Sequence, residues 1–187
     1  MPAIGFRAKT GRAIAVAIGD DLELLLRREV SLVDPALPGT GQPYHVVMAL
    51  PWPDAEIAVR PLAAAIEIVA TRMLAALIAE LGDVGAVGVV GSPPKDLARI
   101  GNPHIRAHAA EGVLFRRVLE VAAERNGIAC RGFSETELGP PNEAIKALGK
   151  KAGPPWRADE RAAATAAWLA SRSFSPPRGE KVPRSGG

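Results

Sequence analysis

The chain has 187 residues, of which 48% are hydrophobic and only 4% aromatic, and its formal net charge is +3. That length suits one domain with one substantial core, which this composition builds mainly from Ala, Val, Leu and Ile. A single cysteine, Cys130, excludes both an internal disulfide framework and a multi-cysteine zinc site.

In chain order, the first predicted elements are strands over Ala3–Ala8, Arg12–Ile18 and Leu22–Leu32. The turns Lys9-Thr10-Gly11 and Gly19-Asp20-Asp21 are short, so the three strands are expected to be antiparallel neighbours. In the second, Ile14, Val16 and Ile18 alternate with Ala13, Ala15 and Ala17, a pattern that buries both faces. Prolines and glycines between Asp34 and Pro43 predict a loop. Tyr44–Leu50 is ambiguous, and a short helix is expected over Asp54–Arg60.

Pro61 suits the first turn of a helix whose core stripe reads Leu62, Ile66, Val69, Met73 and Leu77, ending at Gly82. Glu67, Arg72 and Glu80 on this helix argue against a membrane span. Val84–Gly91 reads as a central strand, apolar on both faces. Asn102-Pro103 opens the next helix as cap and first-turn proline, and Asn126-Gly127 closes it. A strand over Ile128–Phe133, a helix over Glu143–Lys150 and a last helix over Ala158–Arg172 complete the domain, residues 1–172. Residues 173–187 carry Arg178, Lys181 and Arg184 against Glu180, so +2 of the net charge lies there and +1 in the domain. This Pro/Ser/Gly-rich stretch is expected to be a disordered, solubilising tail. No run reads as a secretory leader, so the expected location is cytoplasmic.

Three groups of residues could carry chemistry. His104, His108 and Glu111 follow each other at steps of four and three, which places them on one helix face. A histidine pair at that spacing can chelate zinc or another transition metal. Glu111 could complete the site or orient His108. Against direct ligation, Glu111 stands two turns from His104, about 10 Å along the axis. One histidine packing and the other in solvent is the structural alternative. Beside the helix start, Ser92, Lys95 and Arg106 could bind an anion such as phosphate; the alternative for Gly91–Asp96 is a plain structural loop. Asp159 and Glu160 open the last helix, where the helix dipole is sufficient to account for acids.

The order of elements, with the block Thr10-Gly11-Arg12-Ala13-Ile14-Ala15-Val16-Ala17 as glycine turn and second strand, resembles the ribonuclease H-like superfamily, in particular RuvC-like Holliday-junction resolvases. The resemblance runs from Ile4 to about Ser171. It implies an α/β fold with a mixed five-stranded sheet, three antiparallel N-terminal strands followed by parallel additions, flanked by helices. Active members of the superfamily hold two divalent ions, Mg or Mn, on carboxylates from the first strand, the fourth strand and the last helix. Here the corresponding places fall near Arg7 or Lys9 and near Gly91 or Ser92. Only Asp159 or Glu160 matches, and Ala162 stands where a second helix acid can occur.

These residues lead to a ribonuclease H-like module with a degenerate acid site, binding nucleic acid or a protein partner, as the first expectation. The domain's near-neutral charge gives the nucleic-acid version little electrostatic support. The alternative is a metal-dependent hydrolase or nuclease at a relocated site around His104, His108, Glu111 and Asp159. A residual nuclease using Asp159, Glu160 and Glu111 is the third.

Overall fold

The computed structural model describes residues 1–140 and 142–174. Three antiparallel strands open the chain: β1 (Ala3–Lys9), β2 (Arg12–Ile18) and β3 (Leu24–Ser31). A short helix α1 (Pro43–Val46), α2 (Trp52–Ala58) and the long α3 (Arg60–Leu81) follow. Next come β4 (Ala86–Val90), α4 (Pro103–Arg125) and β5 (Cys130–Phe133), then α5 (Glu143–Ala152) and α6 (Ala158–Phe174). The sheet order is β3-β2-β1-β4-β5, with β4 parallel to β1 and β5 parallel to β4. A mixed five-stranded sheet of this order, flanked by helices, is the ribonuclease H-like arrangement that the succession of elements predicts.

Period-two alternation sorts the sheet into two faces. Ile4, Phe6 and Ala8 of β1, Ala13, Ala15 and Ala17 of β2, and Val87 and Val89 of β4 share one core with α3 and α4. The helices contribute Ile66, Ala70, Leu74 and Leu77 from α3, and Phe115, Val118, Leu119 and Ala122 from α4. The opposite face packs against α6 through Ala163, Ala164, Ala167 and Ala170. There the approach is close enough to need glycine: a Cβ on Gly5 would lie 1.8 Å from the Ala163 carbonyl oxygen, and one on Gly88 2.3 Å from that of Ala166. The alanine run of α6 and the two sheet glycines are thus one packing device.

Several boundaries differ from expectation for local reasons. Leu22 is not in β3; it takes a positive φ of 56° in the turn, which ends strand geometry there. The ambiguous Tyr44–Leu50 segment begins with α1, entered through a buried Pro43. On α3 the buried stripe is Ile66, Ala70, Leu74 and Leu77, and Leu62, Val69 and Met73 are only partly buried at its margin. By length and composition α3 could cross a membrane, yet its inner face is taken by the sheet and α4. Ion pairs tie its acids to other elements, Glu67 to Arg125 at 2.7 Å and Glu80 to Arg28. Helix α6 continues through Ser173 and Phe174, two residues into the stretch expected to be tail; residues 175–187 of that stretch lie outside the described residues.

Candidate metal centre

Helix α4 starts where its sequence says it should. The Asn102 side chain accepts a hydrogen bond from the Ile105 N–H at 3.0 Å, and Pro103 occupies the first turn. From that start, His104, His108, Glu111 and Phe115 descend one face of the helix. The two histidines are exposed, whereas Glu111 and Phe115 are fully buried. The stripe therefore runs from solvent into the core, and the acid is its last polar member.

Across this stripe lies α1. The segment leading to it is knotted by Thr40, whose buried hydroxyl donates to the carbonyls of Asp34 or Leu37 and accepts from the Asp34 N–H. Gly39, at a φ of 92°, supplies the left-handed turn that a side chain would strain. The outcome is that His45 of α1 faces α4. Its Nδ1 stands 2.8 Å from Glu111 Oε1, and its backbone N–H donates to the same oxygen at 3.3 Å.

All three histidines of the chain meet here. Ring centroids are 5.1 Å apart for His45 and His104, 4.4 Å for His45 and His108, and 4.5 Å for His104 and His108. The rings stand edge to face, and each offers a nitrogen within 4.8 Å of those of the others. Nε2 of His104 and Nε2 of His108 are 3.2 Å apart. Two imidazoles on a tetrahedral ion, with metal–nitrogen bonds of roughly 2.0–2.1 Å, have their nitrogens about 3.3 Å apart. The donor set fits a borderline transition metal such as zinc. With Nδ1 of His45 engaged by Glu111, Nε2 is the nitrogen left for an ion.

Glu111 is thus not placed as the third ligand that the helix spacing offered; it stands behind His45, and His45 is the third imidazole. Glu111 lies two helical turns from His104 and about one from His108, buried in the core, and the turn at residues 39–45 brings a histidine 59 positions earlier than His104 into the cluster. Nothing in the periodicity around Tyr44–Leu50 marks His45. The only hint is that it is the third of three histidines.

An open cleft of about 860 Å3 borders the His45 side of the cluster, lined among others by Thr10, Gly11, Ser31, Gly41 and Gln42. Tyr44, on the far side, stacks on Trp52 at a centroid distance of 5.7 Å. Burial, and then the nearby Glu56 charge, raise its phenol above the ordinary value, so Tyr44 remains a neutral hydroxyl.

The acids of the last helix are elsewhere. Arg7 and Lys9 project from β1 on the same side as Gly5, towards α6, and there they meet Asp159. Lys9 Nζ lies 3.0 Å from Asp159 Oδ1 and Arg7 Nε 3.6 Å from it, while Arg7 also pairs with Glu135. Two cations and one helix acid do not fit a pair of hard divalent ions, which need several oxygen donors. Glu160 accepts a hydrogen bond from the Arg157 N–H at 2.8 Å and closes the first turn of α6. The sheet separates α6 from α4, so Asp159 and Glu160 do not join Glu111 or the histidines, and neither of the expected sets that mixed them is assembled.

Two of the three expected anion ligands, Ser92 and Arg106, are engaged elsewhere. Ser92 Oγ fills the space beside Gly112, 2.7 Å from where a Cβ would stand. Arg106 donates to the Ile100 carbonyl at 3.1 Å and lies over the Trp52 ring at 5.3 Å. Lys95 is exposed on its loop.

No protein-family model matches the chain, and no curated protein matches it. Among solved structures, one similar chain is Thermus thermophilus RuvC in complex with a Holliday junction substrate. It is 13% identical over 89% of this chain and 90% of that one, with a TM-score of 0.49. A second is another Thermus thermophilus RuvC structure, also 13% identical, over 89% of this chain and 91% of that one, with a TM-score of 0.44.

Proposed function

We propose that this protein is a mononuclear, transition-metal-dependent hydrolase built on a ribonuclease H-like fold, with His45, His104 and His108 as its metal ligands. The observation that carries the reading is the meeting of all three histidines, two of them with Nε2 atoms 3.2 Å apart. Three protein ligands are the number that catalytic zinc sites use, because a fourth position stays open to water. An ion held this way supplies Lewis acidity and a water that ionises near neutral pH. The chain's own part is to fix the imidazoles, to keep His104 and His108 open to solvent, and to admit a substrate along the cleft beside His45. Phosphodiesters are the first substrate class to try, and carboxylic esters the second.

The test is a titration of metal-free protein with zinc and with cobalt. One ion per chain is expected, with visible cobalt bands of a tetrahedral site, and His104→Ala with His108→Ala should abolish both. Zinc-dependent hydrolysis of an activated phosphodiester should disappear with the same substitutions. If the wild-type protein takes up neither ion, the reading is wrong.

A second reading, a non-catalytic module that binds nucleic acid or a protein partner, is favoured by the pairing of Asp159 with Lys9 and Arg7, which neutralises the last-helix acid. Stoichiometric metal uptake without turnover of either ester class would favour it.

A further inference from the structure

The geometry points to Glu111 as the positioning residue of the histidine centre, acting through His45 and not as a ligand; this rests on the metal-centre reading above. Glu111 has no exposed surface, and a buried carboxylate is costly unless its contacts offset the loss of water. Only one of its oxygens has such contacts. Oε1 takes both the ring Nδ1 and the backbone N–H of His45, at 2.8 and 3.3 Å. Oε2 is buried with no hydrogen-bond partner among the described residues. A core position that needed only packing would be filled better by Leu or Met, which carry no polar atom to desolvate.

The placement accounts for that expense. Acceptance from Nδ1–H fixes the tautomer of His45 and leaves Nε2 as the nitrogen free to take an ion. The carboxylate behind the ring holds the imidazole at one angle, as carboxylates behind metal-bound histidines do. The backbone contact adds a second restraint, because it holds α1 itself against α4. His45 comes from a helix of four residues, too short to hold its own orientation, and Glu111 is the group that fixes its angle.

Cobalt affinity and the cobalt visible spectrum of the full-length protein test this in a double-mutant cycle over Glu111 and His45. Glu111→Gln keeps the shape and an acceptor oxygen but removes the charge. It should weaken binding about tenfold and shift the bands, and Glu111→Ala should approach a hundredfold loss, the range found when such outer partners are removed. In a His45→Ala background, where only His104 and His108 remain, Glu111→Gln should change affinity no further. Thermal unfolding of the metal-free variants identifies any that fail to fold, and Glu111→Gln, being isosteric, keeps the test open if Glu111→Ala does. An equal loss in both backgrounds, or wild-type affinity and spectrum in Glu111→Gln and Glu111→Ala, would overturn the proposal. Absence of cobalt binding by the wild-type protein is a different result, and it removes the metal centre itself.

Discussion

Glu111, fully buried, and Cys130, half-buried, show how differently two reactive groups can be used. Glu111 is held against His45, a contact that fixes one imidazole of the histidine cluster. Cys130, on β5, is pushed up to about 12 from an ordinary 9.0, mainly by burial and then by the Glu120 carboxylate, with Arg116 and Arg117 opposing. A raised thiol pKa favours the neutral form, so at pH 8 the reactive thiolate is scarcer by about a thousandfold than in an unperturbed cysteine. Cys130 should therefore resist iodoacetamide in the native protein at pH 8 and react readily after denaturation, as mass spectrometry would measure. Rapid native alkylation would contradict the raised thiol pKa. At this scale the sequence was legible for His104 and His108, whose spacing forces them onto one face. It offered Glu111 as a third ligand or as a partner of His108, not of His45, because helical spacing says which face a residue occupies but not how deep a neighbouring element will bury it.

Helix α6 and the strands beneath it make the case at the level of elements. The alanine-rich stretch at residues 162–167 reads as helix from propensity alone, yet its work is to let backbone meet backbone at Gly5 and Gly88. Gly5→Ala would place a methyl group within the Ala163 carbonyl, and α6 would have to move off the sheet. We expect a loss of about 1–3 kcal/mol in urea unfolding, the usual cost of overpacking, and more if α6 cannot shift. An unchanged midpoint would mean that α6 sits farther from β1 than described. Element positions were predictable here because the alternation in β1, β2 and β4 and the caps of α4 are local. The entry of α1 was not, since Pro43–Val46 is held by Thr40, Gly39 and contacts on α4 and has no periodicity of its own.

For the whole molecule, the sheet is a partition. The histidine cluster belongs to the α3/α4 side and the Arg7–Lys9–Asp159 group to the α6 side. Two sites with a packed core between them and no shared partner should behave additively. Asp159→Ala should thus leave cobalt affinity and zinc-dependent hydrolysis within about twofold of wild type. It should also abolish no magnesium- or manganese-dependent cleavage of junction or RNA substrates, because none is expected from a site whose acids, Asp159 and Glu135, are already paired with Arg7 and Lys9. Loss of metal binding in Asp159→Ala, or magnesium-dependent cleavage that it removes, would show that the acid face is functional after all.

Local chemistry in the sequence determined the succession of strands and helices, the face shared by His104 and His108, and the absence of an acid on β1. Those properties depend on residues a few positions apart, where steric and hydrogen-bonding rules act without reference to the rest of the chain. Tertiary structure alone decided that His45 is the third imidazole, that Glu111 stands behind it, and that Asp159 is answered by Lys9 and Arg7 on the α6 face of the sheet. Each of those depends on packing between elements separated by tens to more than a hundred residues, and a packing distance is a property of the assembled core.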